Sequence, residues 1–302
     1  MTAETIDVCV CTFRRASLTR TLDSVASQVL PAGVKIRVIV ADNDITDIAR
    51  EMIETHAQSL GLVLRYIHAP ERNISIARNA CLDAADSDWI VFIDDDEVAM
   101  SNWVASLREQ RGSNHIIFGV SQALYCDPAM PKWIVEGDFH SNRIAGNDAS
   151  WNGYTANVMI DRRFVESNSL RFAVELGQIG GEDTMFFFEA HRAGARFGYA
   201  CGAIVQEETP LTRANFRWLV LRRYRAGQVH YMIMRRERRG WLTAVAAAVK
   251  ALICASVAIM SLPWRKLSVR NALRAILHVG VVASAMGLDA YREYAARPPH
   301  NV

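Results

Sequence analysis

Trp89-Ile90-Val91-Phe92-Ile93-Asp94-Asp95-Asp96-Glu97 joins five apolar residues to four consecutive acids. The apolar run has the length and side-chain type of a strand buried on both faces. Carboxylates crowded at its exit repel one another, so the arrangement costs stability unless something neutralises it. A hard divalent cation does so, since Mg2+ or Mn2+ takes one or two carboxylates and completes its shell with phosphate oxygens and water. The other reading is a solvated acidic turn, which seldom follows so apolar a strand. Nothing nearby resembles the ligand loop of an EF-hand.

Working outward, three runs of the same kind precede this one: Ile6–Cys11, Ile36–Ala41 and Leu62–Ile67. Helical spacing fills the intervals, through Leu18, Leu22, Val25, Ala26 and Val29, then Ile45, Ile48, Ala49, Met52 and Ile53, then Ile74, Ala77, Ala80, Cys81 and Ala84. Such alternation predicts an α/β fold with a mostly parallel central sheet and helices on both faces. Right-handed crossovers bring the C-terminal strand ends to one edge, where open α/β sheets bind ligands. At those exits stand Thr12-Phe13-Arg14-Arg15, Asp42-Asn43-Asp44 and the acid run. From Ser113 to Gly202 the pattern loosens into short strands and polar loops, including Trp151-Asn152-Gly153-Tyr154 and Gly180-Gly181-Glu182-Asp183.

Five motifs in order carry a resemblance: Val8–Arg14, Val40-Ala41-Asp42-Asn43, Ile76-Ala77-Arg78-Asn79-Ala80, Phe92–Asp96 and Gly181-Glu182-Asp183. Over roughly residues 5–200 the chain resembles the family 2 inverting glycosyltransferases, and within them bacterial exopolysaccharide (succinoglycan-type) glucosyltransferases. The resemblance implies the GT-A fold, a nucleotide-binding α/β sandwich. It implies transfer of a sugar, UDP-glucose or another UDP-hexose being the expected donor, to a growing lipid-linked oligosaccharide with inversion. By the same likeness Thr12, Phe13 and Arg14 hold base and phosphates, and Asp42 the uracil or ribose side. Arg78 and Asn79 match a segment in which the arginine offsets diphosphate charge. Asp94 and Asp96 match the outer positions of the DxD motif, with Asp96 as metal ligand, Asp94 facing the ribose and metal shell, and Asp95 ambiguous in register. Asp183 matches the general base, and Glu182 a residue that helps bind the acceptor. Arg78 also reads as a surface salt bridge, Asp183 as a helix start whose acids suit the dipole, and an N-cap role in this loop suits Asp44 better than Asp42. Processive members carry QxxRW. Ala214-Asn215-Phe216-Arg217-Trp218 keeps Arg-Trp but has Ala for Gln, which favours single sugar addition, and Trp218 reads equally as a core aromatic.

The 302 residues carry a net charge of only +2, but unevenly. Residues 1–208 hold 18 Lys and Arg against 29 Asp and Glu, and residues 209–302 hold 16 against 3. The expected division is therefore a catalytic domain over 1–210 and a basic, apolar helical region over 211–302. Arginines 217, 222, 223, 225, 235, 236, 238 and 239 lead into Trp241–Trp264, apolar apart from Lys250 and small hydroxyl residues. A second apolar segment, Ala272–Leu288, follows. Spanning helices, an interfacial pair and a packed appendage all fit. Tryptophans at both ends and the preceding arginines favour an interfacial contact with an anionic cytoplasmic leaflet, at the inner membrane. The basic stretch lacks any recognised nucleic-acid module, so no nucleic acid is expected as partner. The six cysteines show no CxxC pair, which suits core thiols in a reducing compartment, and no secretory signal is visible. Two other functions compete. A nucleotidyltransferase acting on a sugar phosphate would show a Gly-rich loop after the first strand, absent here. A non-catalytic membrane-associated scaffold would not need Asp96 and Asp183.

Overall fold

The computed structural model describes residues 4–143, 151, 153–236 and 240–288; Asn152, Arg238 and Arg239, singled out above, lie outside them. The first half alternates as expected: β1 (Glu4–Thr12), α1 (Leu18–Ala26), β2 (Val34–Asp42), α2 (Arg50–Ser59), β3 (Val63–His68), α3 (Ile74–Ala84) and β4 (Trp89–Asp94). Next come β5 (Glu97–Ala99), α4 (Trp103–Glu109), β6 (Ile116–Leu124), α5 (Lys132–Gly137), β7 (Asn157–Asp161), α6 (Arg162–Ser167), α7 (Glu182–Arg192) and β8 (Phe197–Glu208). Three long helices close the chain: α8 (Phe216–Arg236), α9 (Gly240–Met260) and α10 (Arg265–Ala285).

The eight strands form one sheet in the order β3-β2-β1-β4-β7-β6-β8-β5. The β3-β2-β1-β4 half is parallel, so Thr12, Asp42 and Asp94 end their strands at one edge. β7 runs antiparallel to both β4 and β6, and β5 antiparallel to β8, so the second half is mixed. Side chains alternate across the sheet as a period of two requires. Cys9, Ile39, Ile90 and Phe92 pack under α3 with Phe172, Phe186 and Phe187. Val8, Val10, Val38, Val40, Val91 and Ile93 pack under α1 with Trp103. Asp7 is a buried exception. Arg37 grips both its oxygens at 2.8 Å, and the Asp86 and Ser87 amides donate to it at 3.0 Å. Every acceptor of that carboxylate is engaged, so the charge is tolerated.

The second helix departs from its expected start. Ile45 and Ile48 are exposed, because Asp44 accepts the Ile45 amide (2.7 Å) and the Thr46 hydroxyl (3.3 Å), folding the segment into a loop. Side-chain capture of local backbone competes with helix here, and α2 begins only at Arg50.

Contacts divide the described chain into a sheet unit (Met1–Leu124, Ser141–Gln178, Glu182–Glu208) and a helical unit (Tyr125–His140, Ile179–Gly181, Thr209–Val302). Inside the helical unit α10 packs along both α8 and α9. Gly227 and Gly280 permit the α8–α10 approach: a Cβ on either would overlap the carbonyl of Leu277 or Tyr224 on the other helix. Trp218 stacks on His140 with ring centroids 5.1 Å apart, beside Ile134, Leu219 and Leu273, as a packed aromatic.

Candidate active site

All eleven residues singled out as site candidates lie in the sheet unit: Thr12–Arg14, Asp42 and Asp94–Asp96 where β1, β2 and β4 end, Arg78 and Asn79 on α3, and Glu182 and Asp183 at the start of α7. At the β1 exit the buried Thr12 hydroxyl donates to Asp95 Oδ2 at 2.8 Å. Phe13 turns outward, 41% exposed, with the Arg14 and Arg72 guanidinium carbons each 5.7 Å from its ring centroid. Arg14 sits in the left-handed region (φ 51°) and pairs with Asp44 at 2.6 Å. That turn leaves Arg15 reaching the acid run: Nη1 lies 2.7 Å from Asp96 Oδ2, and Nε 3.8 Å from Asp95 Oδ1.

Asp42 is deeper than its expected ligand role suggests. Its Oδ2 accepts the Tyr66 hydroxyl at 2.7 Å and its Oδ1 the Asp44 amide at 3.0 Å, so it shapes the β2 exit. Burial and Asp42 together push the Tyr66 phenol above its usual range. Asp44 accepts from the loop rather than capping α2, which starts six residues later. Asn79 is engaged elsewhere too: its amide donates to the Phe172 carbonyl and accepts the Phe172 amide, both at 2.9 Å. It anchors α3 to the irregular segment before α7.

The acid run turns tightly between β4 and β5. Asp94 keeps 48% of its side-chain surface open, whereas Glu97 folds beneath and accepts the Asp94 amide at 3.3 Å. Burial raises Glu97 well above the carboxylate range, and Asp94 and Glu207 add to it. Desolvation by the packed turn around it lifts the half-open Asp94 to about 7, with Arg78 opposing and Asp96 and Asp95 reinforcing. Asp95 rises to about 6 by burial, against the pull of Arg15. The run is thus short of positive charge.

One guanidinium gathers the remaining candidates. Arg78 projects from α3, buried, pairs with Glu182 Oε1, lies 4.0 Å from Asp94, and faces Phe172 at 5.6 Å. Burial works against its charge, but Glu182, Asp183 and Asp94 outweigh that and hold it firmly protonated. The surface-salt-bridge reading of Arg78 therefore gives way to a buried one. Glu182 and Asp183 open α7 after Gly180 and Gly181, whose φ of 91° and 94° only glycine adopts without strain. Burial and the Glu182 charge raise Asp183 to about 6, with Arg78 opposing. Glu182 Oε2 is buried and has no hydrogen-bond partner.

Among the described residues no three His, Cys, Asp or Glu side chains close on a common point as an all-protein metal cage would. Mg2+ and Mn2+ do not require one, because phosphates and water supply most of their ligands. The open Asp94, the adjacent Asp96 and the raised pKa values of Asp94 and Asp95 fit such an ion. Three contributors went unassigned in the sequence. Arg15 was visible in the quoted motif, and Glu97 in the acid run. Tyr66 emerges only from the β2–β3 register, which pairs Val40 with Tyr66 and Asp42 with His68.

Comparison with known proteins fits this arrangement. Residues 7–150 match the model of Glycosyl transferase family 2. The succinoglycan biosynthesis protein ExoM of Rhizobium meliloti (strain 1021) is 38% identical over 299 residues, 97% of this chain and 96% of that one. Among solved structures, the mannosyltransferase PcManGT from Pyrobaculum calidifontis, in complex with GDP-Man and Mn2+, aligns at TM-score 0.63 and 18% identity. The match covers 94% of this chain and 88% of that one. S. aureus TarS with UDP-GlcNAc aligns at TM-score 0.55 and 15% identity, covering 94% and 92%. The structural likenesses give the GT-A fold and the sequence likeness gives the lineage: the chain is a glycosyltransferase of family 2.

Proposed function

We propose that this chain transfers a hexose from a UDP-sugar, UDP-glucose foremost, to a lipid-linked oligosaccharide, with inversion at the anomeric carbon, in assembly of a succinoglycan-type exopolysaccharide. The observation that carries the reading is the Arg78 hub, which joins the acid run to Glu182 and Asp183 through one buried cation. Donor-side and acceptor-side groups are then neighbours, as a single displacement needs. The 38% identical succinoglycan biosynthesis protein supports the pathway. The GDP-Man and UDP-GlcNAc complexes of the structural neighbours support a nucleotide-sugar donor, and the Mn2+ of one supports a divalent metal.

Residues 1–210 carry this chemistry. Phe13 offers its exposed face to the base, while Thr12, Arg14 and Asp42 order the exits around it. Asp94 and Asp95 face ribose and sugar, Asn79 fixes α3, and Arg78 offsets diphosphate charge. Asp96 and Asp94 would hold Mn2+ or Mg2+, which would supply Lewis-acid stabilisation of the departing diphosphate. Asp183 takes the proton of the acceptor hydroxyl as that oxygen attacks the anomeric carbon. Its pKa of about 6 leaves it ionised, yet basic, near neutrality. The unpartnered Glu182 Oε2 accepts from the same or an adjacent hydroxyl and orients it. Residues 211–302 bring the enzyme to the cytoplasmic face of the inner membrane, where a lipid-linked acceptor is presented.

The test is a panel of nucleotide sugars with Mn2+ and lipid-linked acceptors, followed by NMR of the product linkage. Transfer from UDP-glucose with inverted anomeric configuration is the expected result. A retained configuration refutes the mechanism, and turnover with GDP-mannose alone refutes the donor.

A further inference from the structure

Of the three closing helices, α9 is inverted relative to a helix of a soluble bundle. Soluble helices turn large apolar side chains inward. In α9 the buried positions are Gly240, Ala247 and Ala258, all small. Its large residues point outward: Trp241 is 67% exposed, Leu252 71% and Met260 79%. The helix is apolar and long enough to cross a bilayer, the one such helix among the described residues. Length alone therefore does not decide between crossing a membrane and lying in it.

Packing decides. The Ser268 hydroxyl of α10 donates to the Ala258 carbonyl of α9 at 2.8 Å, and the two helices, joined by a short connection, pack along their length as an antiparallel pair. Counting back from that bond, Arg274 and His278 of α10 fall beside the middle of α9, where Lys250 stands. Electrostatics agrees, since the charges of Lys250 and Arg274 both act on His278, and Lys250 also acts on His230 of α8. If α9 crossed the bilayer, its partner would carry Arg274 to mid-depth, beside Lys250, where charge is expensive. α8, packed on the other side of α10, would follow with six arginines. None of these three helices contains an Asp or Glu, against eleven Lys and Arg.

We propose that α9 lies flat in one leaflet, its axis parallel to the membrane plane and its large side chains in the acyl region, with Lys250 and Arg274 binding the phosphates of anionic lipid headgroups. This deepens the membrane association proposed above and rests on it. The apolar face supplies burial, and Lys250, exposed at its flank, reaches back to headgroup level on its flexible stem. Basic side chains without acidic neighbours on their own helices complement an anionic surface.

The full chain is mixed with sealed phosphatidylcholine vesicles, with or without 30% phosphatidylglycerol, and floated. Tighter binding to the anionic vesicles is expected. Lys250→Gln and Arg274→Gln should each weaken it about fivefold while leaving neutral-vesicle binding unchanged, and Arg274→Lys should restore it. Unchanged melting of each variant shows that its fold is intact. Binding that ignores both lipid charge and these substitutions overturns the phosphate contacts. Orientation is read with an impermeant maleimide on Arg235→Cys and Lys266→Cys, made separately in a chain with Cys126→Ser and Cys201→Ser. A flat helix leaves both positions labelled in intact vesicles. Labelling of Lys266→Cys only after permeabilisation overturns the flat placement. Failure to float with either vesicle removes the membrane association itself, a result distinct from the other two.

Discussion

Replacing Arg78 with methionine tests the hub directly. The substitution keeps most of the side-chain volume but leaves Glu182, Asp183 and Asp94 without their shared cation. Removing one partner of a buried ion pair typically costs about 3–5 kcal/mol, because the remaining charge stays buried and unpaired. For a domain of this size each kcal/mol moves the melting temperature by about 2–4 °C, so Arg78→Met should lower it by roughly 6–20 °C at pH 8. The sign with pH follows from protonation. Arg78 pulls the Asp183 pKa down to about 6, so its removal raises that pKa and lets the acid pick up a proton more readily. The part of the stabilisation that Arg78 provides through Asp183 is therefore present at high pH and fades as pH falls through about 6. Calorimetric melting of parent and variant between pH 5 and pH 8 reads both effects. A second variant, Arg78→Met with Glu182→Gln, should recover part of the loss, since it removes the stranded charge. Melting within 2 °C of the parent at pH 8, or a deficit equally large at pH 5, refutes the hub as a charge-balancing centre.

Asp183→Asn should keep nucleotide-sugar binding, read by calorimetry, and lose turnover by about 10²–10⁴. In the parent, kcat/KM should climb with pH through about 6 as Asp183 loses its proton; a flat profile from pH 5 to pH 7 counts against it as the base. Because that pKa is raised on folding, the same group subtracts stability as pH rises from about 4 to about 6, and nothing further above it. Chelation with EDTA should stop transfer, and Asp96→Asn should abolish Mn2+-dependent donor binding. Full activity in EDTA would remove the metal from the mechanism. Arg37→Ala strands the fully buried Asp7 and should destabilise the sheet unit by about 3 kcal/mol, seen as a shifted urea midpoint with unchanged slope.

The sheet half formed by β1 to β4 was legible because buried parallel strands need unbroken apolar runs, and those runs sit within a residue or two of their observed ends. The site edge followed from the same grammar, since the polar exits of parallel strands share one side of the sheet. What failed to show was set by side-chain competition and register. Apolar spacing placed Ile45 and Ile48 on a helix, but Asp44 accepts the Ile45 amide and the Thr46 hydroxyl and folds the segment into a loop. Asp42 matched a ligand position by likeness, yet Tyr66 reaches it only through strand pairing across 24 residues. The antiparallel β7 had no signature of its own, because a short apolar strand reads alike in either direction. Glu182, Asp183 and Arg78 could each be found by motif, whereas the pairing of Arg78 with Glu182 joins positions 104 residues apart and answers to no local pattern.

The ties between α3 and residues 172–177 carry a consequence for reaction geometry. Asn79 clasps the Phe172 backbone from one end of the contact. At the other, the Asn73 amide donates to Val174 O (2.9 Å), the Ser75 hydroxyl to Ala173 O (2.8 Å) and the Ile74 amide to Gly177 O (3.4 Å). The helix that presents Arg78 and the segment that leads towards Asp183 are thereby laced into one bracket. Misplacing reacting groups by even 1 Å is enough to lose about two orders of magnitude in rate. Here the spacing between Arg78 and the approach to Asp183 is set largely by side-chain hydrogen bonds to the main chain, so the proposed reaction needs little reorganisation when substrates arrive.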